Sequence, residues 1–432
     1  MTGTLPDLES VRAFLREWRD GEISLDQLEI EHVKARPDGS LRVLYEAPGA
    51  GDEVVRISAR RVRPGDGPRL EKKINEVHRN SRVAGLTQAA VYAPALGLLF
   101  EVFPSDQGLA SLPVAADGRA MAPLLQAALA GRTGGARVRE VAVQPVRYKP
   151  TRKCLFRYEI QWTGPGTRGL PAVVYAKLAR PAKFERTRET LRRLRDAAEG
   201  LAFDLPEPIG EVPELCMELF SAVRGVRLFT LAETADYPAL CGRVGAALHQ
   251  FHALPVVLDQ EWGLEAKMGE LAESAAQFTC LLPAARERIQ ALCGAVSARL
   301  QASPPPPPRP IHGDFHGDNV LVDGSRIALI DLEDCAMGDP AEDVGANWAQ
   351  LTCHSIKAVG RTPMAEAGRR AFLHAYLERA DAETAERIPA HAAMHCFLYA
   401  HQCLRHPRHP ARYEDADAML GACAGILERG LG

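Results

Sequence analysis

One passage limits what this chain can be more than any other: residues 311–322 (IHGDFHGDNVLV), then 327–331 (IALID) and 338–343 (GDPAED). Asp314 and Asn319 stand five residues apart on what reads as a loop between short strands, and Asp331 closes an apolar strand twelve residues later. A carboxylate, an amide and a second carboxylate in this order suit phosphoryl transfer from a nucleotide. One acid orients and deprotonates an acceptor hydroxyl, while hard oxygen ligands hold magnesium against the phosphates.

The spacing equals the HRDxxxxN and DFG pattern of protein kinases, with HGD and IDL in their place. Residues 138–432 resemble the aminoglycoside phosphotransferase and choline kinase group, small-molecule kinases with a protein-kinase-like fold. That group's pattern is close to HGDxxxxNxL followed by IDxxxxxxGDPxxD, and here it stands as HGDFHGDNVL and IDLEDCAMGDPAED. The resemblance implies Asp314 as catalytic base, Asn319 and Asp331 as Mg2+ ligands, and ATP or another nucleoside triphosphate as donor. It implies a structural role for His312 and for Asp343, the latter bracing the catalytic loop from the following helix. His316 is read as a shaping residue. Glu333 and Asp334 either touch metal or acceptor, or are solvated carboxylates at the loop mouth.

Upstream, residues 173–177 (VVYAK) read as a strand delivering Lys177 to the α- and β-phosphates, a cation that needs a helix carboxylate to hold it. The helix over about 182–198 offers Glu185 and Glu189, and by resemblance Glu189 is the choice. Glu218, Leu219 and Phe220 resemble the hinge whose backbone meets adenine. One departure stands out. Between Gln144 and Tyr158 no glycine-rich loop appears, and the turn carries Pro150, Arg152 and Lys153 instead. Either Arg152 and Lys153 contact phosphate oxygens or they form a basic surface turn.

Two strand-rich stretches, about 29–58 and 138–178, resemble each other. Val33, Pro37, Tyr45 and Glu46 match Val146, Pro150, Tyr158 and Glu159 at an offset of 113. After a change in turn length, Ala59 and Arg60 match Ala176 and Lys177 at an offset of 117, and Glu101 and Phe103 match Glu218 and Phe220. Such a repeat predicts that residues 29–103 form a small twisted sheet with one helix. It would be inert, because Arg60 replaces Lys177 and Lys72 stands at the Glu189 position unless Glu71 substitutes. Ser10 is expected to cap a first helix carrying Phe14, Leu15 and Trp18.

The fold expected is therefore α+β: a two-lobed kinase-like fold with an additional amino-terminal α+β module, read as a degenerate copy of the nucleotide lobe. The boundaries are 1–136 for that module, 137–220 for the nucleotide lobe and 221–432 for the helical lobe. Hydrophobic residues at 46% and charged residues at 25% exclude wholesale disorder. A net charge of -3 gives no support to nucleic-acid or membrane-surface binding. No apolar run approaches the 18 or so residues of a membrane span, and the start lacks signal-peptide features. Ten cysteines without a CxxC pair suggest free thiols in a reducing cytoplasm.

Other clusters have bland readings beside sharp ones. The run 304–308 is either an SH3-type ligand or a stiff lead-in to a strand, and the strand is favoured because chemistry follows it. His391 and His395 sit four apart near Cys396 and Cys403, at zinc-site distances, yet among apolar neighbours that favour packing. His249 and His252 read as packing residues. The expected enzyme is an ATP-dependent phosphotransferase acting on a hydroxyl of an aminoglycoside, amino alcohol, sugar or similar molecule. The rivals are a Ser/Thr protein-kinase-like enzyme, disfavoured by GDPxxD standing where APE belongs, and a silent regulatory pseudokinase, disfavoured by the complete residue set. Residues 371–432 carry eight acidic and six basic side chains, so no acidic bias points to a polycationic acceptor.

Overall fold

A computed structural model describes residues 5–18, 24–49, 54–63, 65–77, 88–357 and 363–431. The sequence APGAGD at residues 47–52 reads as a turn, and its residues 50–52 lie outside them. The chain divides into two compact units. The first comprises Met1–Glu185, Glu207–Ala222 and His406–Arg408, and the second the remainder.

The first unit opens with α1 (Leu8–Trp18). Asp7, not Ser10, caps it: its carboxylate accepts from the backbone N–H groups of Glu9 and Ser10, each at 3.0 Å. An aspartate suits that end because its charge meets the positive pole of the helix. Next come β1 (Glu29–Ala35), β2 (Leu41–Pro48), β3 (Val54–Arg61), α2 (Gly67–Val77), β4 (Ala90–Ala93) and β5 (Leu98–Val102). After α3 (Leu112–Ala115) and α4 (Gly118–Ala128) follow β6 (Arg137–Lys149), β7 (Lys153–Thr163), β8 (Val173–Ala179), α5 (Pro181–Ala197), β9 (Pro208–Val212) and β10 (Met217–Ser221). Along β7 the residues Cys154, Phe156, Tyr158 and Ile160 alternate into a core shared with Val174, Ala176 and Leu178 of β8 and with Leu109, Leu112 and Leu125. Period-two alternation is what a sheet with one covered face requires.

Two five-stranded antiparallel sheets result, ordered β1-β2-β3-β5-β4 and β6-β7-β8-β10-β9, each with one helix inserted after its third strand. Their registers coincide as well. Lys34 pairs with Arg42, and Arg147 with Leu155; Arg42 pairs with Arg60, and Leu155 with Lys177. These are the 113- and 117-residue offsets read from the sequence. The offset shifts by two residues at the last pair, because Arg60 faces Leu99 whereas Lys177 faces Glu218. Phe103 falls just beyond β5.

The second unit is mainly helical. It contains β11 (Val226–Arg227), α6 (Tyr237–His252), β12 (Glu261–Trp262), α7 (Leu264–Leu281) and α8 (Arg286–Gln301). The proline run then leads directly into β13 (Arg309–Ile311), followed by β14 (Val320–Asp323), β15 (Arg326–Leu329) and β16 (Ala336–Gly338). Four helices complete it: α9 (Ala341–Lys357), α10 (Pro363–Leu377), α11 (Ala382–Leu404) and α12 (Arg412–Arg429). Leu271, Phe278, Ile289, Phe397 and Met419 form its helical core, and fully burying such side chains stabilises by roughly 1.5–3 kcal/mol each. No helix among the described residues is long and apolar enough to cross a membrane.

Candidate active site

The loop between β13 and β14 carries Asp314 and Asn319, and Asp331 follows β15. The loop's shape is set by Asp343, in the first turn of α9 and wholly buried. Its carboxylate accepts from the backbone N–H groups of His312 at 2.6 Å and Gly313 at 2.9 Å. His252 stands 3.0 Å from the same carboxylate and 2.8 Å from the Tyr376 hydroxyl. Burial alone would raise the Asp343 pKa, but the hydrogen bond and charge of His252 and the charge and main chain of His312 lower it below the ordinary carboxylate range. Gly313 has φ +78, and a Cβ there would lie 2.3 Å from the Asp334 carbonyl oxygen. Only glycine meets both conditions.

Asp314 follows immediately, its side chain about two-fifths exposed. Asn319 is buried and its Nδ2 donates to the Asp314 carbonyl at 2.9 Å, close to His316 Nε2 at 3.2 Å. With Nδ2 so engaged, Oδ1 is the amide atom left for a cation. His316 Nε2 lies 3.6 Å from an Asp314 carboxylate oxygen. The β14–β15 hairpin then returns the chain, and Ile330 N–H donates to the Asn319 carbonyl at 2.9 Å. Asp331 adopts a left-handed backbone, φ 61 and ψ 48. The donor atoms on offer, a carboxylate and an amide oxygen, are hard ligands that fit magnesium shared with phosphates. Among the described residues no group of three or more His, Cys, Asp or Glu side chains could hold a metal by itself.

In the first unit, Lys177 on β8 is flanked by Leu155 on β7 and Glu218 on β10. Directly paired residues on antiparallel strands share a face, so Glu218, 5% exposed, lies beside the Lys177 side chain. Leu219 turns to the core and Phe220 faces Tyr175. Arg152 is exposed at the β6–β7 turn and Lys153 begins β7. In the part of α5 that belongs to the second unit, the Glu189 carboxylate is engaged by Arg192 and Arg193, and Arg193 also reaches Asp259. Those arginine hydrogen bonds take its pKa down to about 2. Glu185, one turn earlier, lies close enough to the Cys216 thiol at the start of β10 to add its charge to the burial that raises that thiol's pKa.

The histidines that resembled a zinc site are part of an ion network instead. His391 binds Glu342 through Nδ1 at 2.8 Å and Asp339 through Nε2 at 3.0 Å, while His395 binds Glu342 at 2.9 Å. Lys267 and Arg387 complete it, paired with Glu342 and Asp339. Burial opposes a charge on His391, yet the hydrogen bonds of Asp339 and Glu342 raise its pKa to about 9. Burial likewise opposes ionised Asp339, but His391 and Arg387 lower its pKa to about 2. Sequence reasoning missed this network and the role of His252. A buried histidine that orients a carboxylate has the same spacing as one that packs.

The first unit presents Lys177 beside a buried Glu218, and the second carries Asp314 and Asn319 on the loop between β13 and β14. Residues 157–388, more than half of the chain, match the family model described as the phosphotransferase enzyme family. The chain belongs to that family. Solved structures similar to it include a choline/ethanolamine kinase family protein from Mesorhizobium loti, 16% identical, covering 66% of this chain and 88% of that one at a TM-score of 0.46. A choline kinase from Cryptosporidium parvum is 14% identical over 67% and 91% of the two chains, TM-score 0.46. A thermostable mutant of an aminoglycoside phosphotransferase, in a ternary complex with ADP and hygromycin B, is 16% identical over 72% and 99%, TM-score 0.47. No curated protein matches the chain.

Two outcomes follow from this geometry. Gly313→Ala should cost roughly 2–4 kcal/mol of stability by chemical denaturation, since a left-handed alanine would also strike a carbonyl; a loss under 0.5 kcal/mol would contradict the packing described. The raised His391 pKa contributes stability that is full below its unfolded value near 6.5 and is lost as pH rises through about 9. The lowered Asp339 pKa contributes stability present above about 3.8 and lost as pH falls towards 2. The melting temperature should therefore decline between pH 6.5 and 9, and His391→Gln should flatten that decline. An unchanged slope would count against the network.

Proposed function

We propose that this phosphotransferase moves the γ-phosphoryl of ATP to a hydroxyl of a small molecule such as an aminoglycoside, an amino alcohol or a sugar. What supports the reading most is the Asp314 loop. Its main chain is fixed by a wholly buried Asp343, and its carbonyl is tied to the amide that would ligate the cation. Catalysis of this kind is positioning and charge neutralisation, so a loop locked before substrate arrives is what the chemistry needs.

Asp314, partly exposed, accepts the proton of the acceptor hydroxyl as that oxygen attacks the γ-phosphorus and the bond to the β–γ bridging oxygen breaks, releasing ADP. Asn319 Oδ1 and the Asp331 carboxylate would hold the cation, and magnesium there would neutralise charge on the phosphates. Lys177 meets the α- and β-phosphates, with Glu218 beside it. Glu185 is the α5 acid in this reading, because Glu189 is committed to two arginines and Glu185 carries its charge to the sheet. The backbone from Glu218 to Phe220 serves adenine, and Arg152 and Lys153 stand over the phosphates. The acceptor is identified by incubating the protein with ATP, magnesium and panels of aminoglycosides, amino alcohols, sugars and nucleosides, with mass spectrometry reading the added phosphate. Hydrolysis without transfer to any hydroxyl in the panel would count against this acceptor class.

Asp314→Ala should lower kcat by about 10²–10⁴-fold while ATP affinity stays within a few-fold, and Asp331→Ala should remove the magnesium dependence of nucleotide binding. Near wild-type turnover in Asp314→Ala would remove it as the base. Lys177→Ala should weaken ATP at least about tenfold more than adenosine, which lacks the phosphates that the ammonium pairs with. Calorimetry showing equal weakening of both ligands would place Lys177 elsewhere.

A further inference from the structure

The β6–β7 turn stands where related kinases keep a glycine-rich loop, yet here it is built from Tyr148, Lys149, Pro150, Thr151, Arg152 and Lys153. Thr151 has φ 61, a left-handed conformation that a β-branched residue avoids unless its surroundings impose it. The imposing groups come from the amino-terminal module. Asp106, 1% exposed, accepts from Thr151 N–H at 2.6 Å, from the Tyr148 hydroxyl at 2.8 Å and from Gly108 N–H at 2.7 Å. Arg42 on β2 donates to the Thr151 hydroxyl. A Cβ on Gly108 would lie 2.7 Å from Thr151 Cα, so the 103–109 segment lies directly against the turn. Phe103 meets Tyr148 edge to face at 5.1 Å.

The residues that grip Gln107, next to Asp106, are those matched to Lys177 and Glu218 in the second sheet. Glu101, 3% exposed, accepts from Gln107 N–H at 2.9 Å and lies 3.6 Å from Arg60. Arg60 also donates to the Gln107 side chain at 2.8 Å. In the copy, the strand cation and the buried acid thus grip the 103–109 segment instead of presenting a charge to solvent. Glu71 accepts from Tyr92 N–H, and exposed Lys72 pairs with Glu76, so α2 offers Arg60 no carboxylate in their place.

We propose that the amino-terminal module is a built-in clamp: Asp106, supported by Arg42, is a positioning residue that fixes the Tyr148–Lys153 turn for contact with nucleotide phosphates. The phosphate half of this rests on the phosphotransferase reading above; the pinning half does not. A glycine-rich loop is adaptable because its backbone is free. A turn fixed by a buried carboxylate is instead preorganised, and Arg152 and Lys153 leave it at a set angle.

The test uses the full chain, with Asp106→Ala, Asp106→Asn and Tyr148→Phe. Amide hydrogen exchange across residues 148–153, without nucleotide, reads the pinning alone. Calorimetry with magnesium-ATP and with adenosine reads its consequence. In Asp106→Ala, Thr151 exchange should accelerate at least about tenfold and ATP should weaken about tenfold, with adenosine within about twofold. Asp106→Asn keeps an acceptor oxygen and should recover most of both losses. Tyr148→Phe removes only a hydroxyl, keeps the fold accessible should Asp106→Ala not fold, and should move both readouts the same way by a few-fold. Unchanged exchange at Thr151 overturns the clamp. Faster exchange with ATP affinity within twofold of wild type overturns its role at the phosphates. A wild-type chain that binds no ATP refutes the phosphotransferase reading and, with it, the phosphate role, while exchange still decides the pinning.

Discussion

The catalytic reading rests on one buried carboxylate. Asp343 has no solvent to stabilise its charge, so the protein must supply every partner. It does so with two consecutive backbone N–H groups of the loop before β14 and with His252, itself at hydrogen-bonding distance from Tyr376. The dependence runs both ways. The carboxylate is tolerable only while the loop donates to it, and the loop keeps its left-handed glycine only while the carboxylate accepts. Asp314, Asn319 and Asp331 inherit their positions from that arrangement, through the Asn319 amide and the hydrogen bond from Ile330.

What could be read from the sequence follows from how tightly chemistry fixes spacing. The loop before β14 was legible because short apolar runs flank it, and the strand carrying Lys177 because apolar residues alternate around it. The surroundings of the two α5 acids were less so. Glu185 and Glu189 are one turn apart, and only coordinates show that Glu189 is drawn to Arg192 and Arg193 while Glu185 lies near Cys216. Ser10 was the expected cap of the first helix, and the structure gives that role to Asp7, three residues earlier, whose carboxylate accepts from two backbone N–H groups at once. The network of His391, Glu342, Asp339 and Lys267 was opaque, since ion pairs between distant segments leave no local pattern.

The two sheets show the same limits within one unit. Strand order and the register of the first three strands follow the sequence offsets, because turn lengths and alternation fix them together. The two-residue shift at the last pair was not visible, since it changes which residue faces Arg60 without altering the alternation. That shift separates the two sheets chemically. Lys177 keeps a glutamate directly opposite, whereas Arg60 meets Glu101 diagonally and both are turned to the segment that carries Asp106.

The central claim is that nucleotide chemistry belongs to the second sheet and its loop alone, although the chain carries two sheets of one topology. Equilibrium titration of the intact protein with magnesium-ATP tests this most directly. The account expects a single site per chain; two sites per chain, or none, would contradict it.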